Sequence, residues 1–275
     1  MKHFSNIRIN LILSVFVTVV LILSSCAKVP ITGRRQVSFL PEGMLVNMAL
    51  TSYQEFMSEN PPLPASDQRV QAVRRVGNRI SQAVNQYLIE NGDEGRVQSF
   101  QWEFNVVQNE AVNAWAMPGG KIMFYSGIFP VTQNDDGIAV VMAHEIAHAV
   151  ARHGNERMSQ QLLLTLGAVS LDVAMREQPE TTRNIFLMSY GVGGQLGSLA
   201  YSRKHEYEAD KLGMIFMAMA GYDAAATVSF WERMQGLAAG AEPPQFLSTH
   251  PSSSSRIKAA RDFVPEAMKY YKPQN

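Results

Sequence analysis

Apolar and polar positions along the chain fall into three patterns. The first is an apolar run over residues 11–23, interrupted only by Ser14 and Thr18 and preceded by Lys2, His3 and Arg8. At 13 residues it is too short for a membrane span, which takes about 20, and it has the length of a signal-peptide h-region. The second is helical periodicity. Residues 41–58 place Leu45, Met48, Ala49, Tyr53 and Phe56 near one face, and Pro61-Pro62-Leu63-Pro64 breaks the helix they predict. Asp67 opens a stronger amphipathic helix, with Val70, Val73, Val76, Ile80, Ala83, Val84, Tyr87 and Leu88 as its stripe and Asn91-Gly92 as its stop. The third is alternation. Residues 99–107, 111–117 and 121–125 read as strands, the last two joined at Pro118-Gly119-Gly120.

A further helix starts at Asn134-Asp135-Asp136 and is expected to reach Gly154. Over residues 138–151 its only polar side chains are His144, Glu145 and His148. A helix apolar on nearly all sides belongs in a core, so these three are buried polar groups that need partners. Residues 160–175 are apolar and helical, but Asp172 and the length argue against a membrane span. Gly191, Gly193, Gly194 and Gly197 make the next apolar stretch irregular or tightly packed. Helices follow at 203–220 and 224–237, then a loop over 238–254 and a last helix to Tyr271.

The pentapeptide His144-Glu145-Ile146-Ala147-His148 is HExxH. Two histidines four apart on a helix lie about 40° apart around its axis, so both imidazoles can hold one Zn²⁺. The Glu beside the first then reaches water at that metal as a general base. By average residue usage the motif arises by chance on the order of once per hundred chains of this size. Catalytic zinc takes three protein ligands, so a third is needed. His153, nine helical steps from His144, is expected on the opposite face as a surface or capping residue. Glu206 is the better candidate. It lies four residues before Asp210 on one helix face, with Gly213 one turn further. There Glu206 can bind metal while Asp210 accepts the free N–H of a ligating imidazole. His205 and Glu208 are the rival ligands, and neither Glu208 nor His153 is expected to matter for zinc if Glu206 is the ligand.

Of the 275 residues 46% are hydrophobic, enough for one or two domains with a sizeable core. Lys+Arg and Asp+Glu both number 24, so no basic field points to nucleic acid. The single cysteine, Cys26, makes no internal disulfide. It follows Leu23-Ser24-Ser25, a sequence similar to a bacterial lipobox, and Ala27 after it fits sorting to the outer rather than the inner membrane. The expected organisation is a lipoprotein signal peptide over 1–25, a lipid-anchored extended tether over 26–40 with a turn at Thr32-Gly33-Arg34-Arg35, and one domain over 41–272.

The motifs resemble zinc metallopeptidase family forty-eight, the family of HtpX and the CAAX prenyl proteases. The likeness rests on HEIAHAVARH at 144–153, SRKHEYEADKLG at 202–213 and Thr249-His250-Pro251. The stretch from Asn113 to Gly120, and Gly221-Tyr222-Asp223 leading to Phe230-Trp231, are similar too. The resemblance implies a mainly helical α+β fold of the zincin (gluzincin) type, with a small sheet beside the HExxH helix. It implies one Zn²⁺ on His144, His148 and Glu206, Glu145 as base, and Asp210 behind a ligand. It further implies that His250 and Arg256 reach the site, and that an extended polypeptide pairs along Asn113-Ala114. The function expected is a zinc endopeptidase of the bacterial cell envelope, facing the periplasm, held to the membrane through lipidated Cys26 and clearing misfolded or unassembled proteins. His250 is expected to serve the oxyanion as a donor; the other role open to it is an inhibitory fourth zinc ligand. Two other functions compete: a lipid-anchored chaperone using the same edge strand, which would not need Glu145, and a hydrolase of a non-peptide substrate, which would not need the edge.

Overall fold

The computed structural model describes residues 26–166, 171–190, 202–238, 244–251 and 253–273. The signal peptide expected over 1–25 and the glycine-bearing stretch from Gly191 to Gly197 lie outside the described residues, as does the Cys26 side chain. No helix among the described residues is long and apolar enough to cross a membrane.

The architecture is mainly helical around one small sheet. Strands β1 (Cys26–Lys28) and β2 (Arg35–Val37) form an antiparallel hairpin. Helices α1 (Glu42–Glu59), α2 (Gln68–Glu90) and the short α3 (Glu94–Gln98) follow. The sheet holds β3 (Glu103–Val107), β4 (Ala114–Met117) and β5 (Lys121–Tyr125) in the order β3-β5-β4, with β3 parallel and β4 antiparallel to β5. Then come α4 (Phe129–Thr132), α5 (Asp135–Val150), α6 (His153–Leu166), α7 (Leu171–Glu177), α8 (Pro179–Tyr190), α9 (Arg203–Met219), α10 (Ala226–Ala238), α11 (Phe246–Thr249) and α12 (Ser254–Ala267).

Strand alternation divides two cores between the faces of the sheet. Phe104, Val106, Ala114, Ala116, Ile122 and Phe124 pack with α2, α5, α9 and α10. Val107, Trp115, Met117, Met123 and Tyr125 pack with α1 and α6 to α8. The turn between β4 and β5 needs Gly119 and Gly120 at φ +80° and +84°, a region closed to most side chains.

Two elements place the site. Helix α5 is capped by Asn134, whose side chain accepts from Gly137 N at 2.9 Å. It is buried nearly all round, as its composition requires. Helix α9 is capped by Ser202, which accepts from His205 N. It crosses α5 at Gly213, where a Cβ would come within 3.2 Å of the Ala143 and His144 backbone. That close approach brings Glu206 and Asp210 against His144.

Two expectations are corrected. The helix carrying HExxH stops at Val150, not Gly154: Arg152 adopts φ +56°, reverses the chain, and ion-pairs with Glu42 at 3.1 Å. A new helix then starts at His153, so helical angles counted from His144 do not carry to it. Second, residues 26–37 are not an extended tether. They form a hairpin docked on the domain, with Val29, Gln36 and, just beyond, Leu40 buried. The turn lies where expected, at Gly33 with φ +64°. Its docking rests on Arg34, which binds Glu156 and Glu208, 122 and 174 residues away in sequence, pairings that local pattern does not report.

Candidate metal centre

Helix α5 presents His144 and His148 one turn apart, and α9 presents Glu206 to both. His250, at the end of α11, completes the group: among the described residues, His144, His148, Glu206 and His250 are the set that could hold a metal ion, all four buried. Their spacing is informative. His144 Nε2 lies 3.1 Å from His148 Nε2 and 3.3 Å from His250 Nδ1. Glu206 Oε1 lies 3.2 Å from His250 Nδ1 and 3.4 Å from His148 Nε2. Zinc bonds of about 2.0–2.1 Å at tetrahedral angles put ligand atoms about 3.3–3.4 Å apart. The donor set, imidazole and carboxylate, also suits zinc. Nitrogen and oxygen lone pairs converge this closely only around a cation, either a metal or a proton. His144 shows the competition: burial opposes its charge, but Asp210 and Glu206 outweigh burial and raise it to about 9.

Behind the ligands stands a buried ion cluster. Asp210 Oδ1 lies 3.1 Å from His144 Nδ1 and accepts from Trp231 Nε1 at 3.2 Å. Arg256 grips Asp210 through Nε and Nη2, both at 2.8 Å, and reaches Glu206 through Nη1 at 2.7 Å. Its guanidinium lies over the Trp231 ring, 4.0 Å from the centroid. Burial opposes ionisation of Glu206, yet Arg256, His250 and the two imidazoles hold it well below the usual carboxylate range. The site thus keeps a charged carboxylate where water does not reach.

Glu145 faces the same centre from α5. Burial pushes its carboxyl up to about 8, with Glu206 adding to the rise, while His144 and the Ala116 N–H favour the ionised form. Its Oε1 is 3.4 Å from His250 Nε2. His250 therefore stands inside the ligand set through Nδ1 and beside the candidate base through Nε2. An oxyanion donor of the expected kind would stand outside that set.

The strand next to this centre is an edge. Tyr125 N donates to Asn113 O at 3.0 Å; by antiparallel alternation, residues 113, 115 and 117 face β5, and Ala114 and Ala116 turn their backbone groups outward. Ala114 N donates to the Asn113 side chain at 2.9 Å, and the Asn113 amide reaches Gln245 at 3.3 Å. Phe246 N donates to Val112 O at 2.9 Å, so the segment carrying His250 is fastened to the start of this strand. A cleft runs between Ala116, Met117 and Pro118 on one side and His148, Ala149 and Arg152 on the other.

The rivals of Glu206 face away from the ligand set. His205 Nε2 pairs with Glu156 at 3.0 Å, and Glu208 meets His153 at 2.9 Å. His153, expected at the surface, is completely buried, and its Nδ1 lies 2.9 Å from His148 Nδ1. The local pattern held one signal for this second layer: His153…Glu156 and His205…Glu208 repeat the same H-x-x-E spacing, which sets each pair one turn apart on its helix.

Residues 64–264 match Peptidase family M48. Among similar proteins are the mitochondrial metalloendopeptidase OMA1 of Schizosaccharomyces pombe, 34% identical over 246 residues, covering 87% of this chain and 66% of that one, and the human OMA1 metalloendopeptidase, 29% identical over 250 residues, covering 87% of this chain and 46% of that one. The β-barrel assembly-enhancing protease of Escherichia coli is 30% identical over 166 residues, covering 58% of this chain and 34% of that one. This chain thus spans from about a third to just under two thirds of these relatives' lengths.

Proposed function

The chain belongs to Peptidase family M48, and from that premise we propose that it is a zinc-dependent endopeptidase acting on extended or unfolded polypeptide. The observation that carries the reading is the gathering of four buried ligand atoms, from His144, His148, Glu206 and His250, within 4.8 Å of one another, with a buried carboxylate, Glu145, beside them. Zinc, when bound, supplies Lewis acidity that polarises a peptide carbonyl and acidifies water. Glu145 takes a proton from water and later returns it to the leaving amide nitrogen, a task suited to a carboxyl whose pKa is raised toward neutrality. Asp210 orients the His144 ring, and Arg256 fixes Asp210 and Glu206 together. The outward C=O groups of Ala114 and Ala116 suit strand addition by a substrate without reading much of its sequence. Purified protein should contain about one zinc and cleave unfolded casein, and a chelator should abolish cleavage until zinc is restored. A metal-free preparation with undiminished cleavage would sink the reading.

His250 fits a displaceable fourth ligand better than the oxyanion donor expected from sequence, because its Nδ1 lies among the metal-binding atoms. His250→Ala should then raise basal casein cleavage with zinc content unchanged. A fall of about 10²-fold, the usual cost of losing an oxyanion donor, would return it to that role.

The cellular setting proposed is the bacterial envelope, with the chain anchored through acylated Cys26 and degrading misfolded or unassembled proteins. It is supported by the charged start, the 13-residue apolar run and the Cys that follows it. Cys26→Ser should release the protein from the membrane fraction or stall it with its leader attached. Unchanged membrane association of a processed Cys26→Ser protein would count against acylation.

A further inference from the structure

We propose that the N-terminal hairpin is part of the zinc site, and that Arg34 is a positioning residue acting on His148 through Glu208 and His153. The inference rests on the metallopeptidase reading for the presence of zinc, but its geometry lies outside the ligand set.

The argument follows hydrogen-bond polarity. His148 faces the other ligand atoms with Nε2. A neutral imidazole that binds metal through Nε2 carries its proton on Nδ1. That Nδ1–H points at His153 Nδ1, 2.9 Å away, which must then be the acceptor. A neutral imidazole has one acceptor and one donor, so the His153 proton sits on Nε2, 2.9 Å from Glu208 Oε2. A carboxylate only accepts, so the chain of bonds ends there in one direction only. His144 has its carboxylate, Asp210, in direct contact. His148 has the same arrangement with one imidazole interposed.

Glu208 is in turn held by the hairpin. Arg34 Nε donates to Glu208 Oε2 at 2.6 Å, and Thr32 Oγ1 donates to Glu208 Oε1. The other end of the Arg34 guanidinium takes Glu156 through Nη1 at 3.2 Å and Nη2 at 2.9 Å. Nη2 also donates to Gln36 of the hairpin at 3.1 Å. Glu156 accepts from His205, whose ring stacks on His153 with centroids 4.5 Å apart and planes 19° apart. One planar fork from the hairpin thus joins carboxylates on two helices, and each carboxylate fixes one of two stacked imidazoles. A lysine, a point charge, would not span both. With the hairpin withdrawn, two largely buried carboxylates lose their cation and His153 loses what fixes its tautomer. His148 then loses the oriented acceptor behind it, the kind of partner whose loss costs 10–100-fold in metal affinity.

The test uses purified full-length protein and reads zinc affinity by competition with a chromogenic chelator. His153→Phe removes the acceptor at similar bulk and should weaken zinc by about 10–100-fold. Arg34→Gln should weaken it in the same direction, and Arg34→Lys should restore only part of the loss. A readout on the unmodified protein guards against variants that fail to fold: nitrogen-15 NMR of the zinc-loaded histidines should show His148 protonated on Nδ1 and His153 on Nε2. Zinc affinities of folded Arg34→Gln and His153→Phe within about threefold of wild type, or a His153 protonated on Nδ1, would overturn the inference alone. Wild-type protein that binds no zinc would overturn the metallopeptidase reading and this inference with it.

Discussion

Glu145→Gln should keep about one zinc per chain and lose peptide cleavage by about 10²–10⁴-fold, the range that general acid–base catalysis contributes. The substitution preserves size in a helix that is buried on nearly all sides, so packing and the neighbouring ligands have no cause to move. It also removes a group whose ionisation burial opposes, so the folded state should lose no stability. What is lost is the capacity to take a proton. Zinc content by elemental analysis and casein cleavage on the same preparation check both halves. Retained cleavage in a preparation free of contaminating protease would exclude Glu145 as the base.

Glu206→Ala should strip the zinc, abolish activity and destabilise the fold, all from one cause. Glu206 supplies a corner of the ligand set and is also the partner of Arg256 Nη1 at 2.7 Å, with both side chains almost fully buried. Breaking a buried pair from one side leaves the other charge uncompensated and costs about 3–5 kcal/mol; Asp210 still neutralises part of Arg256, so the lower end applies. His205→Ala should leave the ligand set complete. Glu208→Ala was expected from sequence alone to leave zinc untouched. With Glu208 behind His153, and His153 behind His148, it should instead weaken zinc without removing it. Equilibrium zinc binding and thermal unfolding of the three variants separate these outcomes. Zinc lost from His205→Ala and kept by Glu206→Ala would make the ligand assignment wrong.

Most elements were legible in the chain because their signals are local. Asp67 and Asn91-Gly92 bound a stripe whose valines do form the core face of α2, and residues 121–125 form the strand read from alternation. The metal centre was legible in part for the same reason: His144 with His148, and Glu206 with Asp210, are pairs four residues apart on helices, a spacing that fixes their faces before any tertiary contact forms. Belonging to a metallopeptidase family was legible through those motifs in their order.

The sequence did not determine what stands around them. It held no sign that Arg152 would adopt a left-handed conformation, which ends α5 at Val150 rather than Gly154 and turns His153 from a surface position into the support of His148. It left His250 open between two roles, because a loop residue has no periodicity to fix its direction; the fold places its Nδ1 among the ligands by fastening Phe246 to Val112 and Gln245 to Asn113. It read residues 26–40 as a tether because Arg34 finds Glu156 and Glu208 only when α6 and α9 already lie side by side. Intrahelical spacing is set by backbone geometry and can be read along the chain. Pairing between elements distant in sequence is set by which buried charges must find a partner once water is excluded, and only the folded chain decides that.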